Sequence, residues 1–162
     1  MAELTQLEEK LAEVMGLAQA AKDATAKVRK LVDDDQVKAT LQRMREEAIE
    51  TAKRCEQVAA GHDGKKSAIK AKARETKAEA QEMMNTYLGE DADGLDGLEF
   101  LTMAEAGETG HVDILGVMAT KAGDQSVVRL VAWAKPIQER HFSQTREASL
   151  KLAKAEDPLE VS

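Results

Sequence analysis

Apolar residues recur along most of the chain at alternating spacings of three and four, the pattern that one face of an amphipathic helix produces. The most regular run covers residues 4–32, where nine positions share one face: Leu4, Leu7, Leu11, Val14, Ala18, Ala21, Thr25, Val28 and Val32. Four further runs predict helices over residues 35–60, 65–88, 98–122 and from 124 or 126 to 155. Turn-forming residues separate these runs, namely the aspartates at 33–35, the glycines at 61 and 64, the glycine-rich segment 89–97 and Gly123. The pattern therefore predicts five helices.

Five long helices joined by short loops predict an all-α fold, an antiparallel bundle in which residues 1–156 form one domain and residues 157–162 a frayed tail. Aromatic residues make up only 2% of the chain, which argues against a β-sandwich or barrel. With 43% hydrophobic residues, the chain has enough apolar material for a core. Pro136 lies inside the fifth predicted helix, so we expect a kink or break near residues 132–135.

Charge and targeting signals narrow the function classes. The net charge of −7 argues against nonspecific nucleic-acid binding. The N-terminal sequence lacks the basic and apolar regions of a secretory signal, and no apolar run reaches the length of about 18 residues that a membrane-spanning helix needs. The single cysteine, Cys55, excludes an intramolecular disulfide, and its place on an apolar stripe predicts a small buried residue. We therefore expect a cytoplasmic protein without a membrane partner.

Polar residues interrupt two of the apolar stripes. Continuing the stripe of the fourth run places Glu105 and Glu108 at core positions, and the fifth run does the same with Gln138 and His141. A buried carboxylate costs several kcal/mol unless it is protonated, paired or bound to a metal. These four residues are therefore the first candidates for a functional site.

The same residues have the spacing of a metal site. Glu108 and His111 are three residues apart, as are Gln138 and His141, so each pair faces one point from neighbouring helical turns. Carboxylate-bridged dimetal bundles use such pairs, and oxygen and nitrogen donors suit iron, manganese or zinc. Glu47 on the second helix is positioned to join, with Glu50 beside it. The candidate metal ligands are Glu47, Glu105, Glu108, His111, Gln138 and His141.

Alternative interpretations of these residues need no metal. Glu105 and Glu108 would then lie at the edge of the stripe, solvated or paired with lysines, and His141 would be a core histidine bonded to a carboxylate. Interior glycines cost roughly 1 kcal/mol each relative to alanine. Those at 107, 110 and 116 therefore indicate either tight helix contact or space for a ligand.

Three further features carry expectations of their own. The basic stretch over residues 65–77 is expected to be a solvated face or a salt-bridged contact with another subunit. His62, in a glycine-rich turn, is expected at the surface. Met83, Met84 and Tyr87 are expected in the core. No motif indicates a catalytic nucleophile or a phosphate-binding loop.

Three segments resemble a known family. They are residues 37–58, the Gly-Lys-Lys-Ser sequence at 64–67, and residues 105–115 together with Gln-Glu-Arg-His at 138–141. By these patterns and by helix order over about residues 10–153, the chain resembles the bacterial ferritin-like proteins of the YciE/YciF type, a family labelled a domain of unknown function. The resemblance implies a ferritin-like antiparallel four-helix bundle with an additional helix, a dimer, a dinuclear metal site and an association with stress responses.

The resemblance also implies a degenerate metal site. Ala18 stands where the family's first helix supplies a carboxylate, and Thr51 stands where its second helix supplies an imidazole. Glu47 and Glu108 match expected ligands, and Gln138 or Glu139 lies near another, with His141 close by. The metal centre, if present, would hold iron or manganese.

Three functions follow as hypotheses. The first is a metal-poor ferritin-like bundle with a stress-associated binding or scaffold role, forming a homodimer. The second is a dimetal-carboxylate oxidase or metal-storage protein. The third is a small-molecule binding bundle whose pocket lies between the fourth and fifth helices, near Gly107, Gly110, Trp133 and Pro136. The sequence leaves open whether the protein is an enzyme.

Overall fold

A computed structural model describes residues 1–161 of the chain and contains five helices within them. They are α1 (Gln6–Arg29), α2 (Asp35–Ala60), α3 (Lys66–Tyr87), α4 (Gly94–Ala122) and α5 (Gln125–Ala153). No strand occurs among these residues, so the all-α prediction is confirmed. None of the helices in this described part is long and apolar enough to cross a membrane.

Side-chain caps determine where four of the helices begin. Thr5 and Glu8 form a capping box at α1, and the side chains of Asp34 and Asp124 accept backbone N–H groups at the starts of α2 and α5. Asp93 and Asp96 form a second capping box, so α4 begins at Gly94, four residues earlier than the apolar pattern predicts. Three aspartates of the loops, Asp34, Asp93 and Asp124, therefore act as helix caps.

Successive helices run antiparallel, and contacts between distant segments show how they are arranged. Gly94, at the start of α4, lies against Leu31 and Val32 after the end of α1, and Lys151 near the end of α5 pairs with Asp34 before α2. The helices α1, α2, α5 and α4 each pack against the next in a closed ring, whereas α3 packs mainly against α1. The result is a bundle of four helices with a fifth attached to one of them.

The core consists of two apolar clusters. One is built around Leu11, Met15, Ile69, Leu115 and Val127. The other is built around Val28, Leu41, Met44, Leu98 and Leu101. In α2, α4 and α5, buried polar residues lie between the two clusters along each helix, which locates a polar layer near the middle of the bundle.

Two predictions about the helices are wrong in part. The break expected near residues 132–135 does not occur, because α5 continues through Pro136, and a kink there stays a prediction. Both Pro136 and Ala132 lie on the exposed side of α5, where water can satisfy the carbonyl that loses its hydrogen bond. Met83 and Tyr87 are 54% and 59% exposed, and only Met84 of the expected trio is buried. Because α3 packs mainly against α1, only a narrow face of α3 is covered.

The structure also describes Cys55, the basic stretch over residues 65–77 and the C-terminal segment. Cys55 is buried, and burial raises the pKa of its thiol to about 12. The basic stretch pairs within the chain, since Lys66 and Lys70 contact Glu56 of α2 and Lys77 contacts Asp23 of α1. The expected tail begins after α5; residues 157–161 are exposed, and Ser162 lies outside the described residues.

Candidate functional site

The polar layer consists of the buried residues Thr51, Glu105, Gln138, His141 and Thr145 together with the partly buried Glu47 and Glu108. The helices α2, α4 and α5 supply these side chains because the polar residues lie on the same stripes as the apolar core residues. From α1 come the buried methyl groups of Ala18 and Ala21. The layer is therefore polar on three of the four helices of the ring.

Glu105 lies at the centre of the polar layer and is only 1% exposed. The side-chain amide of Gln138 donates to its Oε2, and Nδ1 of His141 lies 3.7 Å from the same oxygen. Burial raises the pKa of Glu105 to about 8, although the hydrogen bond from Gln138 works in the opposite direction. The carboxyl group therefore favours its neutral form near neutral pH.

Glu108 lies one turn beyond Glu105 on α4. Burial raises the pKa of its carboxyl group well above the usual range, and the neighbouring charge of Glu105 raises it further. A hydrogen bond from Gln138 only partly offsets these effects. Two carboxyl groups thus share one amide donor, and a bound cation would stabilise the ionised form of both.

His141 lies between two carboxylate side chains. Its Nε2 is 3.5 Å from Oε1 of Glu47, and both atoms are buried without a hydrogen-bond partner within residues 1–161. The pKa of His141 is lowered: burial is the largest cause, the Glu47 carboxylate acts in the opposite direction, and the charges of Arg140 and Arg43 lower the pKa further. Arg140 and Arg43 also pair with Glu47, so the Glu47 carboxylate is neutralised from the solvent side.

Five of the six predicted ligands come together in this layer. His111 does not join them, because its Nδ1 lies 3.2 Å from Glu13 of α1, with Lys10 nearby. Glu50 also lies apart and pairs with Arg54 on the surface of α2. The apolar periodicity of α4 could not show that His111 lies apart from the other predicted ligands, because its contacts depend on which helix packs against that side of α4.

The donor set falls short of what two metal ions require. Gln138 presents an amide where a bridging site would use a carboxylate, and the hydroxyl of Thr51 donates to the carbonyl of Glu47 one turn earlier. In the described part of the chain, no three His, Cys, Asp or Glu side chains are grouped so that they could hold a metal ion. Metal binding at this layer would therefore require side chains to rotate.

An apolar cavity of about 200 Å³ lies between α1, α3 and α4. Its walls are mainly alanine, leucine, methionine and phenylalanine, and Glu105, Glu108 and His111 also line it. Gly107 borders this cavity, whereas Trp133 lies under the guanidinium group of Arg54, 4.0 Å from the ring centre. The cavity that reaches the carboxyl groups is thus on the α1 and α3 side of α4, and not on the predicted α5 side.

A second polar cluster was not predicted from the sequence. His62, expected at the surface, is largely buried, with Nδ1 3.1 Å from Glu8 and Nε2 3.2 Å from Asp124. Only a doubly protonated imidazole can donate to both carboxylates. Burial opposes the ionisation of Glu8 and Asp124. Hydrogen bonds outweigh this effect of burial. Glu8 accepts them from Thr5 and His62, and Asp124 accepts them from Ser126 and Val127. The pKa of each carboxyl group therefore lies below its usual value.

The His62 cluster joins three separate parts of the bundle. Glu8 lies in the first turn of α1, His62 in the turn after α2, and Asp124 at the cap of α5. Lys65 lies 3.9 Å from Glu8 and adds a further positive charge. Because the partners are far apart in sequence, no local pattern around His62 indicates this role.

Comparison with known proteins does not assign the chain to a group. No family model, no curated protein and no solved structure matches it. The features that bear on its function are therefore the fold class and the geometry of the polar layer.

Proposed function

We propose that the chain is a ferritin-like bundle with a degenerate metal site, acting as a binding or scaffold protein. The ring of α1, α2, α4 and α5, with α3 spanning the connection between its second and third members, supports this fold, because ferritin-like bundles contain one long crossover connection. A cytoplasmic location and an association with stress responses come from the sequence and the resemblance alone and stay predictions.

One observation carries the metal-poor proposal, namely the hydrogen bond from Gln138 to Glu105. An amide that donates to a buried carboxyl group stabilises it without a metal ion, and a glutamine is a much weaker metal ligand than a carboxylate. The alanines of α1 at the same level remove a further donor. The layer therefore has the chemistry of an internal hydrogen-bond network.

Elemental analysis of protein purified without chelators tests this proposal. We expect well below one equivalent of iron, manganese or zinc per chain, before and after incubation with each metal. Stoichiometric iron or manganese that survives gel filtration would overturn it. The analysis should include a Glu108→Gln variant, so that metal bound at surface carboxylates is distinguished from metal bound at the polar layer.

The second candidate is a dimetal-carboxylate oxidase or metal-storage protein. The convergence of Glu47, Glu105, Glu108 and His141 favours it, since these oxygen and nitrogen donors suit iron and manganese. When bound, such metals would supply oxygen activation or iron storage. In this case Fe(II) or Mn(II) raises the melting temperature of the native chain by linkage, but not that of Glu108→Gln. Identical melting curves with and without metal count against it.

The third candidate is a small-molecule binding protein. The cavity between α1, α3 and α4 supports it, because its apolar walls meet two carboxyl groups at one end. A short primary alkylamine would place its chain against the walls and its ammonium group at Glu108. We would then expect thermal stabilisation of the native chain and not of Glu108→Gln. Equal responses of the two proteins would argue against this site.

A further inference from the structure

The helix α4 presents apolar residues on two opposite faces. One face is buried and contains Leu98, Leu101 and Leu115. The opposite face is exposed and contains Met103, Gly107, Gly110, Ile114 and Val117, which alternate in spacing between four and three. Ile114 is 46% and Val117 is 71% exposed. A helix that is apolar all round is usually covered all round, so the exposed face of α4 lacks a partner in the monomer.

Packing within the chain does not require the two glycines on this face. A Cβ atom at Gly107 or Gly110 would meet no heavy atom within 4 Å. By contrast, a Cβ at Gly116 would lie 2.9 Å from a methyl group of Val131, so that glycine permits α4 and α5 to pack closely. Glycine destabilises a helix interior relative to alanine. Glycines at 107 and 110 leave room for another helix to approach α4 closely from outside.

The apolar surface continues from α4 onto α3. Tyr87 packs against Phe100 with ring centres 5.9 Å apart, and Met83 and Met103 border the cavity between the two helices. Ten large hydrophobic side chains are exposed within residues 1–161, and five of them lie on this surface: Met83, Tyr87, Met103, Ile114 and Val117. An exposed patch of this kind marks an interaction surface.

We propose that this surface binds a second copy of the chain, with the two α4 helices antiparallel about a twofold axis at Gly110. In that arrangement Met103 of each copy faces Val117 of the other, and Ile114 enters the space left by Gly107. Gly110 meets its own counterpart at the crossing point, which permits close approach. Because a twofold interface repeats every contact, one helix face supplies both sides of the pairing.

Charge complementarity supports a second copy as the occupant. The same antiparallel register brings Glu99 of each copy opposite Lys121 of the other. Both residues are exposed, and neither takes part in an ion pair within the described chain. The register that places Ile114 at Gly107 therefore also pairs opposite charges, whereas a parallel twofold pairing would place each residue opposite its own copy. This inference supplies the partner in the proposed scaffold role, and it is tested by association rather than by metal content.

Cysteine cross-linking tests the register. Gly110→Cys should form a disulfide-linked dimer under mild oxidation, because the two positions meet at the axis. The native Cys55 is buried and leaves no background. Gly89→Cys, a glycine with open space around it outside this surface, is the matched control and should stay monomeric on a non-reducing gel. No cross-link at 110, or equal cross-linking at 89, would overturn the proposal.

Orientation requires a second pair of variants. Met103→Cys and Val117→Cys should cross-link to each other when mixed, and neither should cross-link to itself. In the antiparallel arrangement the two copies of residue 103 lie about 20 Å apart, seven residues on either side of the axis at about 1.5 Å each. Self-linking of Met103→Cys without hetero-linking would contradict the antiparallel register.

Sizing by light scattering tests whether the interface exists without cross-links. The native chain should be a dimer, and Gly110→Leu should be a monomer with an unchanged circular dichroism spectrum, since no neighbour within the chain is displaced. Glu99→Lys and Lys121→Glu should each weaken dimerisation by about tenfold at low salt, and the double variant should restore it. A monomeric native chain, or a Gly110→Leu dimer, would end the proposal.

Discussion

The side-chain amide of Gln138 partly stabilises the ionised forms of a buried acidic pair, Glu105 and Glu108. It donates to Glu105 and also lowers the pKa of Glu108, while burial raises both pKa values. His141 lies close to Glu105, but burial lowers its pKa, so it favours the neutral form. The polar layer is thus stable when its acids are neutral, and it becomes strained when another negative charge is added.

Gln138→Glu is the substitution that tests this arrangement. It removes the amide donor and places a third carboxyl group beside Glu105 and Glu108, so we expect the free energy of unfolding to fall by about 3 kcal/mol at neutral pH. Urea denaturation measures the change. Glu139→Gln, at the neighbouring exposed position, should leave stability unaltered. An equally stable Gln138→Glu protein would show that the amide donor is not required, because either protonation of the introduced carboxyl group or a cation stabilises the layer in its place. Stabilisation of the variant by Mn(II) beyond that of the native chain would identify the cation.

At the scale of helices, the apolar pattern predicts which face of each helix is buried but not how much of the helix is covered. Glu105, Gln138 and His141 were predicted to be buried because they lie on stripes that continue into the core on both sides. Tyr87 lies on such a stripe as well but is exposed, because few contacts join α3 to any helix other than α1. The position of a helix among its neighbours depends on the whole bundle, so it cannot be predicted from the apolar stripe of that helix alone.

Gly16 determines how closely α3 approaches α1. A Cβ at this position would collide with the backbone carbonyl of Ala73 and lie 2.8 Å from Cβ of Thr76. Gly16→Ala should therefore lower the free energy of unfolding by about 2 kcal/mol through overpacking, although alanine is the better helix former. Gly89→Ala, with open space around it, is the control and should change stability little. A stabilised Gly16→Ala protein would show that α3 can move away at no cost.

At the scale of the whole molecule, the two ends of the bundle are closed by charged side chains. Lys151 pairs with Asp34 at one end, at 2.7 Å. At the other end His62 links Glu8 and Asp124, and so connects the start of α1, the end of α2 and the start of α5. The sequence could not predict the second link, because the three residues come from unrelated segments and a histidine in a glycine-rich turn is usually a surface residue. The acidic partners in these contacts stabilise the bundle most strongly while their carboxylates are ionised.

The His62 cluster therefore makes stability depend on pH in the acid range. The pKa values of Glu8 and Asp124 are lowered in the folded chain, so the unfolded chain binds protons first as the pH falls. The stabilisation is complete above the unfolded values of about 4 and is lost as the pH falls through the lower folded values. Asp124→Asn keeps a helix cap but removes the charge, and should cost roughly 1 kcal/mol at neutral pH.

Urea denaturation of the native chain and of Asp124→Asn from pH 7 to about pH 2 checks this dependence. The stability difference between the two proteins should narrow toward zero as the pH falls below about 4, because Asp124 of the native chain becomes protonated and loses its negative charge. Ser126→Ala provides a comparison that removes a hydrogen bond to the same carboxylate without removing its charge. A difference that persists unchanged at the lowest pH would show that Asp124 stabilises the bundle only as a cap, and that the link through His62 does not hold the three segments together.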